Sequence, residues 1–142
     1  MKRYLLVMAI VLLAALSVQA QIMTAKFDGA KMQKIIDIRF TPSLKSDYQG
    51  IVEGAIYNLI VCKRLYPSLD YSDAAGAMQD VTTENSLAHL RYKAYLGYSY
   101  LSNAEGIDIT PVSTEESFDY LFKQISEELQ SKLLVSNISV AR

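Results

Sequence analysis

The chain is poor in the residues from which most active sites and disulfide scaffolds are built. It has one cysteine, Cys62, so no disulfide can close within it, and stability has to come from apolar packing. Cys62 reads as a small buried hydrophobe on a helix. The alternatives are an intermolecular disulfide or a reactive thiol, whose pKa Lys63 and Arg64 would lower if the sulfur were exposed. His89 is the one histidine. Without a second imidazole, an HExxH or a CxxC, no metal ligands are assigned. There is no G-x-S-x-G nucleophile elbow to work with the histidine. A phosphate-binding glycine loop, a dinucleotide fingerprint and a haem attachment motif are also missing, so no cofactor is expected. The paired carboxylates Glu115/Glu116 and Glu127/Glu128 are neighbours on one helix. Adjacent helical residues point about 100° apart and do not make an acid/base dyad with each other. Asp70, Ser72 and Asp73 look like the start of a calcium loop but lack its glycine and terminal glutamate. No catalytic residue is assigned, and the expectation is a protein that is not an enzyme.

Long apolar runs are limited to one. Lys2 and Arg3 precede the uninterrupted stretch Leu5–Leu16, and Val18 and Ala20 are the small residues that a signal peptidase reads. The run is shorter than the roughly 20 residues of a membrane span. Residues 1–20 are therefore read as a cleaved signal peptide, with an uncleaved anchor as the alternative, and the mature chain starts at Gln21. No cysteine follows the cut, which argues against a lipoprotein. The localisation expected is secreted or periplasmic, with no membrane span after cleavage. Without Lys2 and Arg3 the 14 basic residues fall to 12 against 15 acidic, a net charge of −3. The sequence shows no basic patch of the kind that phosphate backbones require, so nucleic acid is excluded as a partner. Residues 21–135 are long enough for one domain with a real core, and 136–142 are expected to fray.

What is present is helical periodicity. The chain is organised around Thr83–Asn103, where Leu87, Leu90, Ala94, Tyr98 and Leu101 recur at helical spacing. Thr82 or Thr83 can cap this helix and Glu84 suits its first turn. Its apolar surface is wider than one stripe, which suits a central position. Gly97 costs helix propensity but would let another backbone approach closely. Before it, Ala30–Ile38 fits a short helix with Met32, Ile35 and Ile36 inward and Asp28-Gly29 as the preceding turn. Gln33–Phe40 can also be read as a strand, but no partner strand is evident. Thr41-Pro42-Ser43 is expected to end that helix. Ser46 and Gln49 form a capping box for the next one, which turns Ile51, Val52, Ala55, Ile56, Leu59, Ile60 and Cys62 inward. It ends with Lys63 and Arg64 at the negative end of its dipole and Pro67 beyond. Gly50 and Gly54, four apart, suggest close helix approach. A weaker helix spans Tyr71–Val81, capped by Asp70 or Ser72. Ser113 and Glu116 cap the last helix, whose stripe is Phe118, Leu121, Phe122, Ile125, Leu129 and Leu133.

Offset by 39 residues, Ile51 falls on Leu90, Ala55 on Ala94, Ile56 on Tyr95, Leu59 on Tyr98 and Cys62 on Leu101. Each of these helices is followed by a turn and a second helix. The stretch from Gln49 to Lys132 thus resembles HEAT or armadillo-type helical repeats, whose period is about 40 residues. The proline and the Asp/Arg arrangement usual in HEAT units are not reproduced, with only Asp70 and Arg91 as candidates. The fold class expected is all-α. It is either a short stack of antiparallel helix pairs, a HEAT-like α-solenoid fragment, or a four- or five-helix bundle. The resemblance implies a protein-binding concave face.

Tyrosine is abundant, with ten in the chain and Tyr92, Tyr95, Tyr98 and Tyr100 on the central helix. Tyrosine offers large apolar area with a polar tip, which suits a wet core edge or an interface. Tyr92, Tyr95 and Tyr98, with His89 beside them, are the candidate partner-binding residues. The reading that follows is an exported, non-enzymatic protein-interaction module. The alternative is a binding protein for an apolar small molecule or a sugar, with a tyrosine-lined pocket between helices.

Overall fold

A computed structural model of the chain describes residues 28–103, 106, 107, 109 and 118–140. Residues 1–20, read above as a signal peptide, and the expected Ser113/Glu116 capping box lie outside the described residues. Every secondary-structure element among those described is a helix, so the fold is all-α and the strand alternative for Gln33–Phe40 falls away.

Helix α1 (Gly29–Ile35) starts at Asp28, whose carboxylate accepts the Lys31 N–H at 3.1 Å. The expected stop at Pro42 is not taken. The chain widens into a π-helical stretch, Ile36–Phe40, and closes with a single α-turn, Thr41–Ser43. Proline lacks an N–H and crowds the carbonyl four residues before it. The wider winding accommodates this by sending the Thr41 N–H to the Ile36 carbonyl. Ser43 Oγ donates to the Arg39 carbonyl at 2.7 Å. Ile36 and Leu44 are buried and Met32 packs against the core, while Ile35 stays at its edge.

Helix α2 (Gln49–Leu65) buries Val52, Ala55, Ile56, Leu59, Ile60 and Cys62, as its pattern predicts, but leaves Ile51 exposed. Ser46 is not its N-cap. Tyr48 holds that position, and Ser46 Oγ accepts the Tyr48 N–H at 3.2 Å in a turn ahead of the helix. Gly50 and Gly54 face open space rather than a neighbouring helix. Cys62 is a free, buried cysteine, and burial pushes its thiol pKa up.

Helix α3 (Ser72–Glu84) runs a turn further than its apolar pattern suggests. Asp70 prepares its start by accepting from the Ser72 hydroxyl at 2.7 Å and the Ser72 N–H at 2.9 Å. These bonds, the hydroxyl's first, hold the Asp70 carboxyl below its usual range. The Gln33 side chain donates to the Asp70 carbonyl at 2.9 Å and accepts the Asp70 N–H at 3.0 Å, which pins α1 to this turn.

The central helix, α4, is Ala88–Ser102, shorter than the Thr83–Asn103 expected. Thr82 and Thr83 belong to α3, and their hydroxyls donate back to the Met78 carbonyl at 3.0 Å and the Asp80 carbonyl at 3.1 Å. They therefore cap nothing. The break is made by Asn85, whose side chain accepts the Leu87 N–H at 2.9 Å. Arg91 adds to it by donating to the carbonyls of Asn85 at 2.8 Å and Ser86 at 3.1 Å. The apolar spacing runs through this break, so periodicity alone joins the two helices. Helix α4 packs on α2, on α3 and on the last helix, α5 (Phe118–Val140). That is the central position its wide apolar surface predicts. At its middle, a Cβ on Gly97 would meet Met78 Sδ at 2.8 Å and Ile56 Cγ2 at 3.1 Å, so it is side chains, not a backbone, that use the space.

Helix α5 buries Leu121, Phe122 and Ile125 and leaves Phe118 and Leu133 exposed at the ends of its stripe. Its backbone is helical through Val140, across the stretch from Ser136 expected to fray. Lys93 ties three helices together by pairing with Glu53 of α2 and, at 3.1 Å, with Asp119 of α5. Among the described residues no helix is long and apolar enough to cross a membrane.

Candidate functional site

Helix α4 has two arcs. Leu90, Ala94, Leu96, Gly97, Tyr100 and Leu101 point into the core. Tyr92, Tyr95 and Tyr98 recur every third residue, which keeps them near one side of the helix. Tyr92 and Tyr95 are 52% and 46% exposed, while Tyr98 is partly buried against the core. The Tyr92 hydroxyl shares a 2.8 Å hydrogen bond with Ser126 Oγ, so the edge of the aromatic face is fastened to α5. Arg91, next to Tyr92 in the chain, has its guanidinium held by the Asn85 and Ser86 carbonyls just after α3. His89 is exposed in the first turn. Of the four candidate residues, the structure brings Tyr92, Tyr95 and Tyr98 onto one side, with His89 at its N-terminal margin.

None of this assembles an acid/base pair. No described carboxylate pairs with His89. No group of three or more His, Cys, Asp or Glu among the described residues is placed to hold a metal ion. Asp70 and Ser72 bond each other, and Asp73 is separately in the first turn of α3.

The sequence gives no warning of a second feature. The C-terminal ends of α2 and α4 and one side of α5 enclose an open groove of about 670 Å³. Lys63, Arg64 and Lys132 line it, and no described carboxylate does. Read along the chain, Lys63 and Arg64 answer the dipole of α2, and Lys132 belongs to a solvated face. Only the packing of α5 beside α2 brings them together, so no local spacing could have found the cluster. Tyr100 is the single tyrosine on its wall, so the groove differs from a tyrosine-lined pocket. A second groove, between α4 and α5, is of mixed charge and includes Lys93, Asp119, Lys123 and Glu127.

No family model, curated protein or solved structure matches this chain.

Proposed function

We propose that the mature chain is an exported, non-enzymatic helical module that binds a protein partner through the outer arc of α4. The observation that carries this reading is the half-exposure of Tyr92 and Tyr95 on a helix whose other arc is fully buried. Aromatic residues and arginine are the side chains enriched where protein surfaces meet. Here they sit on a helix held by three neighbours, so little order has to be gained on binding. Tyr98 extends the surface toward the core edge, and His89 marks its margin.

The same use follows from either architecture. Of the residues paired by the 39-residue offset, Ala55 and Ala94 are both buried, as are Cys62 and Leu101. Ile51 is exposed where Leu90 is buried, and Ile56 is buried where Tyr95 is exposed. The two helices thus present different faces, and we favour the plain bundle over the HEAT-like stack. Export to the periplasm or the extracellular space rests on residues 1–20 and places the partner there.

The reading is tested by affinity capture of the tagged mature chain from the native cells, beside a Tyr92→Ala/Tyr95→Ala variant. One stoichiometric protein held by the native chain and lost with the variant is the expected result. A native chain recovered alone, as a monomer, would overturn it.

A further inference from the structure

The groove at the C-terminal ends of α2 and α4 is independent of the tyrosine face and carries its own chemistry. Three cations line the groove of a chain of net negative charge, and Asp70, the described carboxylate that acts on Lys63, is not among the lining residues. Two helix C-termini meet there, and their carbonyls attract positive side chains. Lys63 is already engaged: its ammonium donates to the Pro67 carbonyl at 3.1 Å, lies 4.8 Å from the centre of the Tyr71 ring and acts on the Asp70 carboxylate. Arg64 also stands in the last turn of α2, but the dipole gives its buried nitrogen no partner, and Lys132 comes from another helix. Arg64 makes no salt bridge with a described residue, and its Nη1 is buried with no hydrogen-bond partner. A guanidinium is always charged and offers five donors in a fixed fork; the Arg64 side chain is half-buried, and leaving its one buried nitrogen unpaired is costly unless something joins it. Lys132 reaches the groove from α5, and its ammonium stands where a side chain at position 106 would be, a place left free by Gly106.

The rest of the wall is mixed, with Ser102 and Asn103 as polar members beside apolar ones. Leu101 and Ile107 are buried in it, and Leu129 packs against the core from α5. A groove of this size, with an apolar patch beside cationic and polar groups, suits a small organic ligand that has both characters. The fork of Arg64 matches the planar oxygens of a carboxylate or the oxygens of a phosphate.

We infer that this groove binds a small amphiphilic anion, an apolar body ending in a carboxylate or a phosphate, with Arg64 and Lys132 holding the charged end.

The test uses the mature chain and four probes: octanoate, octyl phosphate, 1-octanol and inorganic phosphate. Each is titrated calorimetrically and in thermal melts. Octanoate or octyl phosphate is expected to bind and to raise the melting temperature. Octanol, which keeps the body but lacks the charge, and phosphate, which keeps the charge but lacks the body, are each expected to bind at least roughly tenfold more weakly. The tighter of the two charged probes identifies the headgroup as a carboxylic acid or a phosphate ester. Lys132→Gln, on an exposed side chain, should weaken the better probe by roughly tenfold and leave the unliganded melting temperature in place. Arg64→Gln should weaken it at least as much. Lys123→Gln, exposed on the same helix outside the groove, should change nothing. Equal affinity for octanol and the charged probes, no binding of either charged probe, or full affinity in Lys132→Gln would each overturn the inference.

Discussion

The two arcs of α4 are cut from one run of residues and serve different ends. On the inner arc, Leu90 and Leu96 are 1% and 2% exposed and Gly97 leaves room for Met78 and Ile56. On the outer arc, Tyr92 and Tyr95 keep about half their surface in water. Both arcs look apolar along the sequence, because tyrosine counts with leucine in any periodicity. They differ in what surrounds them. Helices α2, α3 and α5 close over the inner arc, and only the edge of the outer one meets α5, through Tyr92 and Ser126. The lesson is that a wide apolar helix surface marks contact on several sides, but does not say which side the fold leaves open.

The sharpest way to break the inner arc is Leu96→Ala. It removes a fully buried side chain between packed helices and should cost about 3 kcal/mol in urea unfolding. Tyr95→Ala, one residue away on the outer arc, should stay within about 0.5 kcal/mol. Equal losses would mean that the two arcs are not distinct.

The edge between the arcs is held by Lys93, whose side chain is 17% exposed. Burial alone would pull its pKa down. The hydrogen bonds and charges of Glu53 and Asp119 outweigh that, and the ammonium titrates above its ordinary value. A raised lysine pKa stabilises the fold fully below the unfolded value, near 10.4, and the contribution is lost as pH rises through the folded value. Lys93→Met should therefore cost about 1 kcal/mol at neutral pH. The gap to the native chain should hold to about pH 10 and close above it. Denaturant midpoints measured from pH 7 to about pH 11.5 would show it. A gap that stayed unchanged to the top of that range would point away from the lysine.

Two glycine substitutions refine the comparison at the smallest scale. At Gly97, alanine gains about 1 kcal/mol of helix propensity but forces Met78 and Ile56 apart, at a cost of roughly 1–3 kcal/mol. The net expected is a loss of about 1 kcal/mol. At Gly54, where an added Cβ meets nothing within 4 Å, alanine should gain about 0.5 kcal/mol. Melting temperatures that moved the same way for both would show that Gly97 is not closely packed.

Much of the fold is legible along the chain because burial follows helical period. The inward residues of α2 from Val52 to Cys62, and Leu121 to Ile125 of α5, are all where their spacing puts them. Helix ends are less legible. Ser46 and Thr82 have the chemistry of caps, but each spends its hydroxyl on another backbone group, and α2 and α4 begin at residues without a capping side chain. Pro42 is a breaker by its ring, yet a π-helical stretch absorbs it. The tyrosine face can be anticipated because its members share one helix. The cationic groove cannot, since Arg64 and Lys132 lie far apart in the chain and meet only once α5 is packed.

The most direct test of the account is a photo-crosslinking residue placed at Tyr95, with a second at Gln79 on the exposed side of α3 as the comparison. The account predicts one discrete protein adduct from position 95 in the native cells and none from position 79. Adducts of equal yield from both positions, or none from position 95, would contradict the assignment of the outer arc of α4 as the binding face.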